Sequence, residues 1–341
     1  MTQADDPVLE PEGPTASANA QPTFDNPKGR PERTYPLAAF GGDKPPAPDW
    51  FTAALERLGA SETGRVAVDG AEIAWRAVGP RGAQPVVLIH GGVAHQGWWD
   101  PIVGFLAQDG LRVVTLDLSG MGDSGWREQY LMNVYAEEVR AVAQAAGAFD
   151  AETAPILVGH SFGGFVAFAA ARAFGDRLSG VVVLDSPVRP FDPDRRPSPP
   201  RRGGRSYANP VEALSRFRLL PDQPCENLFL VDHIARASLR ADPSAGPDGV
   251  TWKFDPELWI KMAFDPIRPD ALAASLQCPL ALMRGARSDL VTDAVWSFMG
   301  ETFRADTPQV SIPDARHHVL LDQPLALTSA LRALLSGWPK R

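Results

Sequence analysis

Two short runs near the start of the ordered pattern, GRVAVDG and AEIAWRAVG, mix apolar and polar residues, read as strands and meet at Asp69-Gly70. An Asp-Gly pair is a good two-residue turn and predicts a hairpin. Downstream the pattern changes. PVVLIHGG, RVVTLDL, PILVGH, GVVVLDS and PLALMRG are continuous apolar runs, the mark of strands buried on both faces. QVSIP adds a shorter one. Helical patterns fill the intervals at 97–108, 132–146, 162–174, 292–303 and 324–335. Strands alternating with helices predict an α/β fold, a mostly parallel sheet with helices on both faces and the hairpin at one edge.

Two stretches break the alternation. Residues 1–48 are rich in proline and small polar residues (EPEGPTASANAQP, GGDKPPAPD), too poor in apolar surface to offset ordering entropy, and predict a flexible arm. Phe24, Tyr35, Leu37 and Phe40 are the residues available to pin its end. A domain follows over 49–341, opening on a short helix capped by Asp49. Residues 188–277 interrupt the sheet pattern with a Pro/Arg-rich loop and three predicted helices. The first starts at Asn209-Pro210, the second covers 226–240, and the third opens at Asp255-Pro256.

Composition excludes more than it identifies. A formal charge of −8 over 341 residues argues against general affinity for nucleic acid or anionic membrane. Two distant cysteines, Cys225 and Cys278, imply neither a disulfide framework nor a thiolate metal site. The start MTQADDPVLE lacks an apolar signal segment, and no run is long enough to span a membrane; a cytoplasmic protein is the expectation. The oligomeric state is not legible.

Candidate chemistry centres on Gly159-His160-Ser161-Phe162-Gly163, set between a short apolar strand and an Ala-rich helix. A serine at so sharp a turn exposes its hydroxyl, small residues on either side let strand and helix pass, and the helix N-terminus favours developing negative charge. In this context GHSFGG resembles the nucleophile elbow of the α/β-hydrolase family, with Ser161 as nucleophile. The resemblance covers roughly 65–338. It implies that residues 188–277 form a cap over the elbow. It also implies an oxyanion hole from the amides of Gly92, after His90-Gly91, and Phe162.

The family's His loop has an acidic residue five positions, and a proline seven positions, beyond the histidine. His317 meets both spacings, through Asp322 and Pro324, and His318 meets neither. For the triad acid, Asp289 after the strand LALMRG is favoured, with Asp185 in VVLDSP as the alternative. Trp98, Trp99, Trp252 and Trp259 are candidate substrate-pocket walls, with packing of cap on core as the competing reading. The arginines at 195, 196, 201, 202 and 205 read as a solvated loop, the alternative being a hold on an anionic substrate. The expected activity is hydrolysis of a small-molecule carboxylic ester or lactone through an acyl-enzyme, with no metal and no cofactor. C–C bond hydrolysis, amide hydrolysis, perhydrolysis and a non-catalytic ligand-binding homologue fit the same residues.

Overall fold

The computed structural model describes residues 35–192, 204–263 and 268–338. Eight strands form one sheet: β1 (Glu62–Val68), β2 (Ala71–Val78), β3 (Pro85–Ile89), β4 (Arg112–Leu116), β5 (Ile156–His160), β6 (Gly180–Leu184), β7 (Leu280–Gly285) and β8 (Gln309–Ile312). Their spatial order is 1-2-4-3-5-6-7-8. β1 and β2 form the predicted hairpin, and β2 runs antiparallel to β4. All later neighbours are parallel. Asp69 and Gly70 take φ of 44° and 79°, the two positive values that a tight two-residue hairpin loop demands.

The helices, in chain order, are α1 (Asp49–Glu56), α2 (Asp100–Gln108), α3 (Met132–Ala145), α4 (Phe162–Phe174), α5 (Pro210–Leu214), α6 (Leu228–Ala237), α7 (Leu258–Lys261), α8 (Pro269–Ser275), α9 (Asp293–Thr302), α10 (Val319–Asp322) and α11 (Pro324–Ser336). The pleat divides each central strand between two cores. Val87 and Ile89 of β3 and Val181 and Val183 of β6 pack with Val139 of α3 and Val166 of α4. Val86, Leu88, Val182 and Leu184 face the other way, onto Ile102 and Leu106 of α2 and Leu327 and Leu331 of α11. This two-sided burial explains why these strands read as unbroken apolar runs.

The chain between β6 and β7 is partly helical, as predicted. Asn209 caps α5, its side chain accepting from the Glu212 amide at 2.9 Å. α6 is shorter than the span 226–240, and α7 ends after Lys261, where Met262-Ala263 pairs with Tyr130-Leu131. A small sheet, unforeseen, lies in the order Ser206–Tyr207, Val250–Trp252, Leu239–Ala241. Its strands are too short to display a period.

The predicted arm needs a correction at its end. Leu37 is buried against Phe51 of α1 and against Leu214, Phe217 and Leu230 of the insertion, so 35–48 belongs to the folded body. The rest of the arm, Phe24 included, lies outside the described residues, as do the arginines at 195, 196, 201 and 202. None of the described helices is long and apolar enough to cross a membrane.

Candidate active site

Ser161 occupies the turn from β5 into α4 with φ 54° and ψ −117°, a left-handed conformation that costs a non-glycine residue about 1–3 kcal/mol. Its neighbours hold it there. The Ser161 amide donates to the Leu184 carbonyl at 2.9 Å, and the Ser186 hydroxyl donates to the Ser161 carbonyl at 2.7 Å. The flanking glycines are sterically required. A Cβ on Gly159 would stand 2.2 Å from the Gly163 oxygen, and one on Gly163 would stand 2.5 Å from the oxygens of both Ile89 and His90.

His317 is buried and lines the same cavity as Ser161, a space of about 400 Å³. Its Nδ1 lies 2.7 Å from Oδ2 of Asp185, at the C-terminal end of β6. Asp185 is fully buried, and its carboxylate takes two further donors: the Gly285 amide at 2.9 Å and the Ser288 hydroxyl at 2.6 Å. The expectation that Asp289 faces His317 is therefore corrected. Asp289 is exposed. The loop after β7 turns Ser288 inward, one residue earlier, so that loop supplies donors to a carboxylate instead of the carboxylate itself. A positive φ of 49° at Asp185 carries its side chain back under the loop.

Of the two adjacent histidines, spacing favours the one that the structure joins to a carboxylate. The Arg316 amide donates to Asp322 at 2.6 Å, and Gln223 from the insertion donates to the same carboxylate at 3.0 Å. Asp322 thus anchors the loop that presents His317. His318 turns the other way: its Nε2 lies 3.2 Å from the Pro221 carbonyl, and its amide donates to Gln223 at 3.0 Å. Burial first, then the neighbouring His317, hold the His318 pKa well below the ordinary value. It is neutral, so Nε2–H donates to Pro221.

Sequence reasoning missed two other buried histidines with positioning contacts. Burial, helped by His317, pushes His160 down to about 3. As a neutral ring it donates from Nε2 to the His317 carbonyl at 2.9 Å. His90, brought by burial to about 4, donates from Nδ1 to the Gly91 carbonyl at 2.7 Å and accepts the Leu118 amide at Nε2, 3.0 Å away. The G-H-S and H-G pairs were visible as motif spacing, and their histidines carried no further signal.

The loop after β3 runs Gly91-Gly92-Val93, with Val93 at φ 52°. Among the described residues, the amides of Gly92 and Phe162 donate to no protein acceptor. A Cβ on Gly92 would lie 3.5 Å from Phe162 Cβ and 2.7 Å from the Trp259 ring. The two residues are therefore neighbours, with Trp259 packed against Gly92 and meeting Phe162 edge to face at 5.6 Å. Asp117, left out of the candidate site, caps backbone turns: it accepts the amides of Gln96 at 2.7 Å and Asp123 at 2.8 Å.

The four tryptophans separate. Trp98 and Trp252 line the cavity. Trp259 covers Gly92 without lining it. Trp99 is corrected to a core residue, fully buried with Val86, Leu88 and Ile102. Residues 96–99 form a 3₁₀ turn, whose three residues per turn send consecutive side chains about 120° apart.

The model described as the alpha/beta hydrolase family matches residues 86–331. A monoacylglycerol lipase of Mycolicibacterium smegmatis is 26% identical over 257 residues, 72% of this chain and 84% of that protein. An esterase of Mycobacterium tuberculosis is 26% identical over 274 residues, 76% of this chain and 84% of its own length. Among solved structures, the thioesterase domain from the curacin biosynthetic pathway superposes with a TM-score of 0.66 at 20% identity, covering 80% of this chain and 99% of that one. Because that family model spans well over half of the chain, the chain belongs to the alpha/beta hydrolase family.

Proposed function

We propose that the protein is a serine hydrolase of carboxylic esters or lactones, with Ser161, His317 and Asp185 as its triad and residues 188–277 as its cap. The observation that carries this reading is the 2.7 Å contact between Asp185 Oδ2 and His317 Nδ1, in a cavity that His317 shares with Ser161. With Nδ1–H committed to the carboxylate, Nε2 keeps its lone pair and serves as base. Ser161 Oγ attacks the substrate carbonyl as its proton passes to Nε2. The carbonyl oxygen becomes an oxyanion, and the Gly92 and Phe162 amides receive it. One such donor is worth about 10²–10³ in rate.

Collapse expels the alcohol, which takes the proton from Nε2, and leaves Ser161 acylated. Water then repeats the cycle from the other side: His317 removes its proton, the acid departs, and Ser161 is regenerated. Relatives named as an esterase and a lipase support an ester over an amide or a C–C bond. The test is pre-steady-state hydrolysis of p-nitrophenyl acetate. A burst of p-nitrophenol equal to the enzyme concentration, absent in Ser161→Ala, supports the acyl-enzyme. Turnover that persists in Ser161→Ala contradicts it.

A further inference from the structure

The wall of the cavity above Ser161 carries four basic side chains, Arg205, Arg216, Arg218 and Lys253, and among the described residues no aspartate or glutamate lines it. This is the reverse of the chain as a whole, whose formal charge is −8. The three histidines of the wall besides His317 do not add to the positive charge, since burial keeps His95, His160 and His318 below their ordinary pKa.

The four cations are not equivalent. Lys253 pairs with Asp123 at 2.9 Å. Arg205 has Glu212 at 3.9 Å and lies over the Tyr207 ring. Arg216 lies over the ring of Tyr35. Arg218 differs. It is half-buried and, among the described residues, makes no hydrogen bond and no ion pair. Its backbone is fixed on both sides, because Phe217 and Leu219 are buried in the apolar cluster of the insertion. A guanidinium drawn partly out of water without a counter-ion is unfavourable. Its planar fork matches a carboxylate or a phosphate with two parallel hydrogen bonds. Low-dielectric walls around several like charges concentrate the field inside the cleft.

We infer that the substrate is an ester bearing a second, anionic group, a carboxylate or a phosphate, which Arg218 binds while the ester lies at Ser161. The inference rests on the esterase reading for its chemistry, and the anion site is separately measurable.

The experiment compares matched esters on the full chain. Phenyl hydrogen glutarate is set against phenyl methyl glutarate, and 3-acetoxypropyl phosphate against 3-acetoxypropanol. The expected result is a kcat/KM at least tenfold higher for the anionic member of one pair, carried by KM and weakened by added salt. The pair that responds tells carboxylate from phosphate. In Arg218→Gln the preference falls toward unity, Arg218→Lys keeps part of it, and Arg304→Gln, an exposed control that does not line the cavity, keeps all of it. Thermal melts establish that each variant is folded. A preference for the neutral members, or an anionic preference indifferent to Arg218→Gln, overturns the inference. Calorimetric binding of glutarate and of phenyl phosphate to Ser161→Ala decides the anion site even where no ester is turned over. Binding that Arg218→Gln abolishes sustains the site alone, whereas undetectable binding together with absent turnover sinks both readings.

Discussion

Asp185 Oδ2 and His317 Nδ1 lie 2.7 Å apart across 132 residues of chain, one at the end of β6 and the other on the loop after β8. The carboxylate meets the ring from a strand neighbouring the elbow, and the loop after β7 serves it with the Gly285 amide and the Ser288 hydroxyl. Three donors on one buried carboxylate leave it little freedom to turn and so fix the direction of the imidazole.

Asp185→Asn should lower kcat/KM by about 10³–10⁴-fold, since an amide no longer favours the imidazole tautomer that leaves Nε2 free. Asp289→Asn, on an exposed side chain, should stay within about twofold. Steady-state kinetics on folded variants, checked by circular dichroism, gives the ranking. The reverse order would return the acid to the loop after β7.

Ser288→Ala removes a 2.6 Å donor from Asp185 and an acceptor for the Val291 amide at 3.1 Å. The expected cost is about 1–3 kcal/mol of stability, together with a lower kcat and little change in KM. Urea denaturation and kinetics on the same preparation measure both. A variant as active and as stable as the parent would mean that Gly285 suffices to orient Asp185.

Most of the sheet was legible in the sequence, because β3 to β7 are buried on both faces and leave unbroken apolar runs. Ser161 was legible because Gly159 and Gly163 have no room for a Cβ, a constraint that surfaces as letters at fixed spacing. His317 was legible for a similar reason: Asp322, five residues on, holds the Arg316 amide. The choice between Asp185 and Asp289 was not. Both follow strands, and what separates them is a positive φ at one and the inward turn of Ser288 beside the other. Trp98 and Trp99 are adjacent letters with opposite fates, set by a 3₁₀ turn with no strong signature. Arg218 was invisible because its significance lies in the missing counter-ion, a property of surroundings and not of spacing.

The tryptophans should divide accordingly. Trp99→Ala should cost about 3–5 kcal/mol, as for other large core truncations, read as a shift in the urea midpoint. Trp252, which touches Tyr207 and Phe217 at ring distances of 5.8 and 5.7 Å, lines the cavity. Trp252→Ala should reorder a panel of acyl chain lengths, an apolar wall being worth about 1–3 kcal/mol per methylene. An unchanged ranking would make it packing alone.

Stability should fall as pH falls below neutrality. Burial depresses the pKa of His90 to about 4 and of His160 to about 3, and lowers those of His95 and His318. The stability that goes with these neutral rings is complete above the unfolded pKa of about 6.5 and is lost as pH drops towards the folded values. Each proton taken up on unfolding steepens the slope by about 1.4 kcal/mol per pH unit. Glu138 and Asp322, raised by burial, oppose the trend with two groups against four. Urea midpoints between pH 7.5 and 5 should decrease, with net proton uptake on unfolding at pH 5.5. A flat profile would show that these histidines protonate within the fold.

The central claim is that Ser161 is an activated nucleophile, and active-site labelling tests it most directly. A fluorophosphonate incubated with the protein should add one phosphonyl group by intact mass, mapped by peptide analysis to Ser161. The adduct should be absent in Ser161→Ala and form far more slowly in His317→Ala, while His318→Ala should label nearly as the parent does. A parent protein that takes no label, or takes it at another residue with equal speed in Ser161→Ala, would contradict the account.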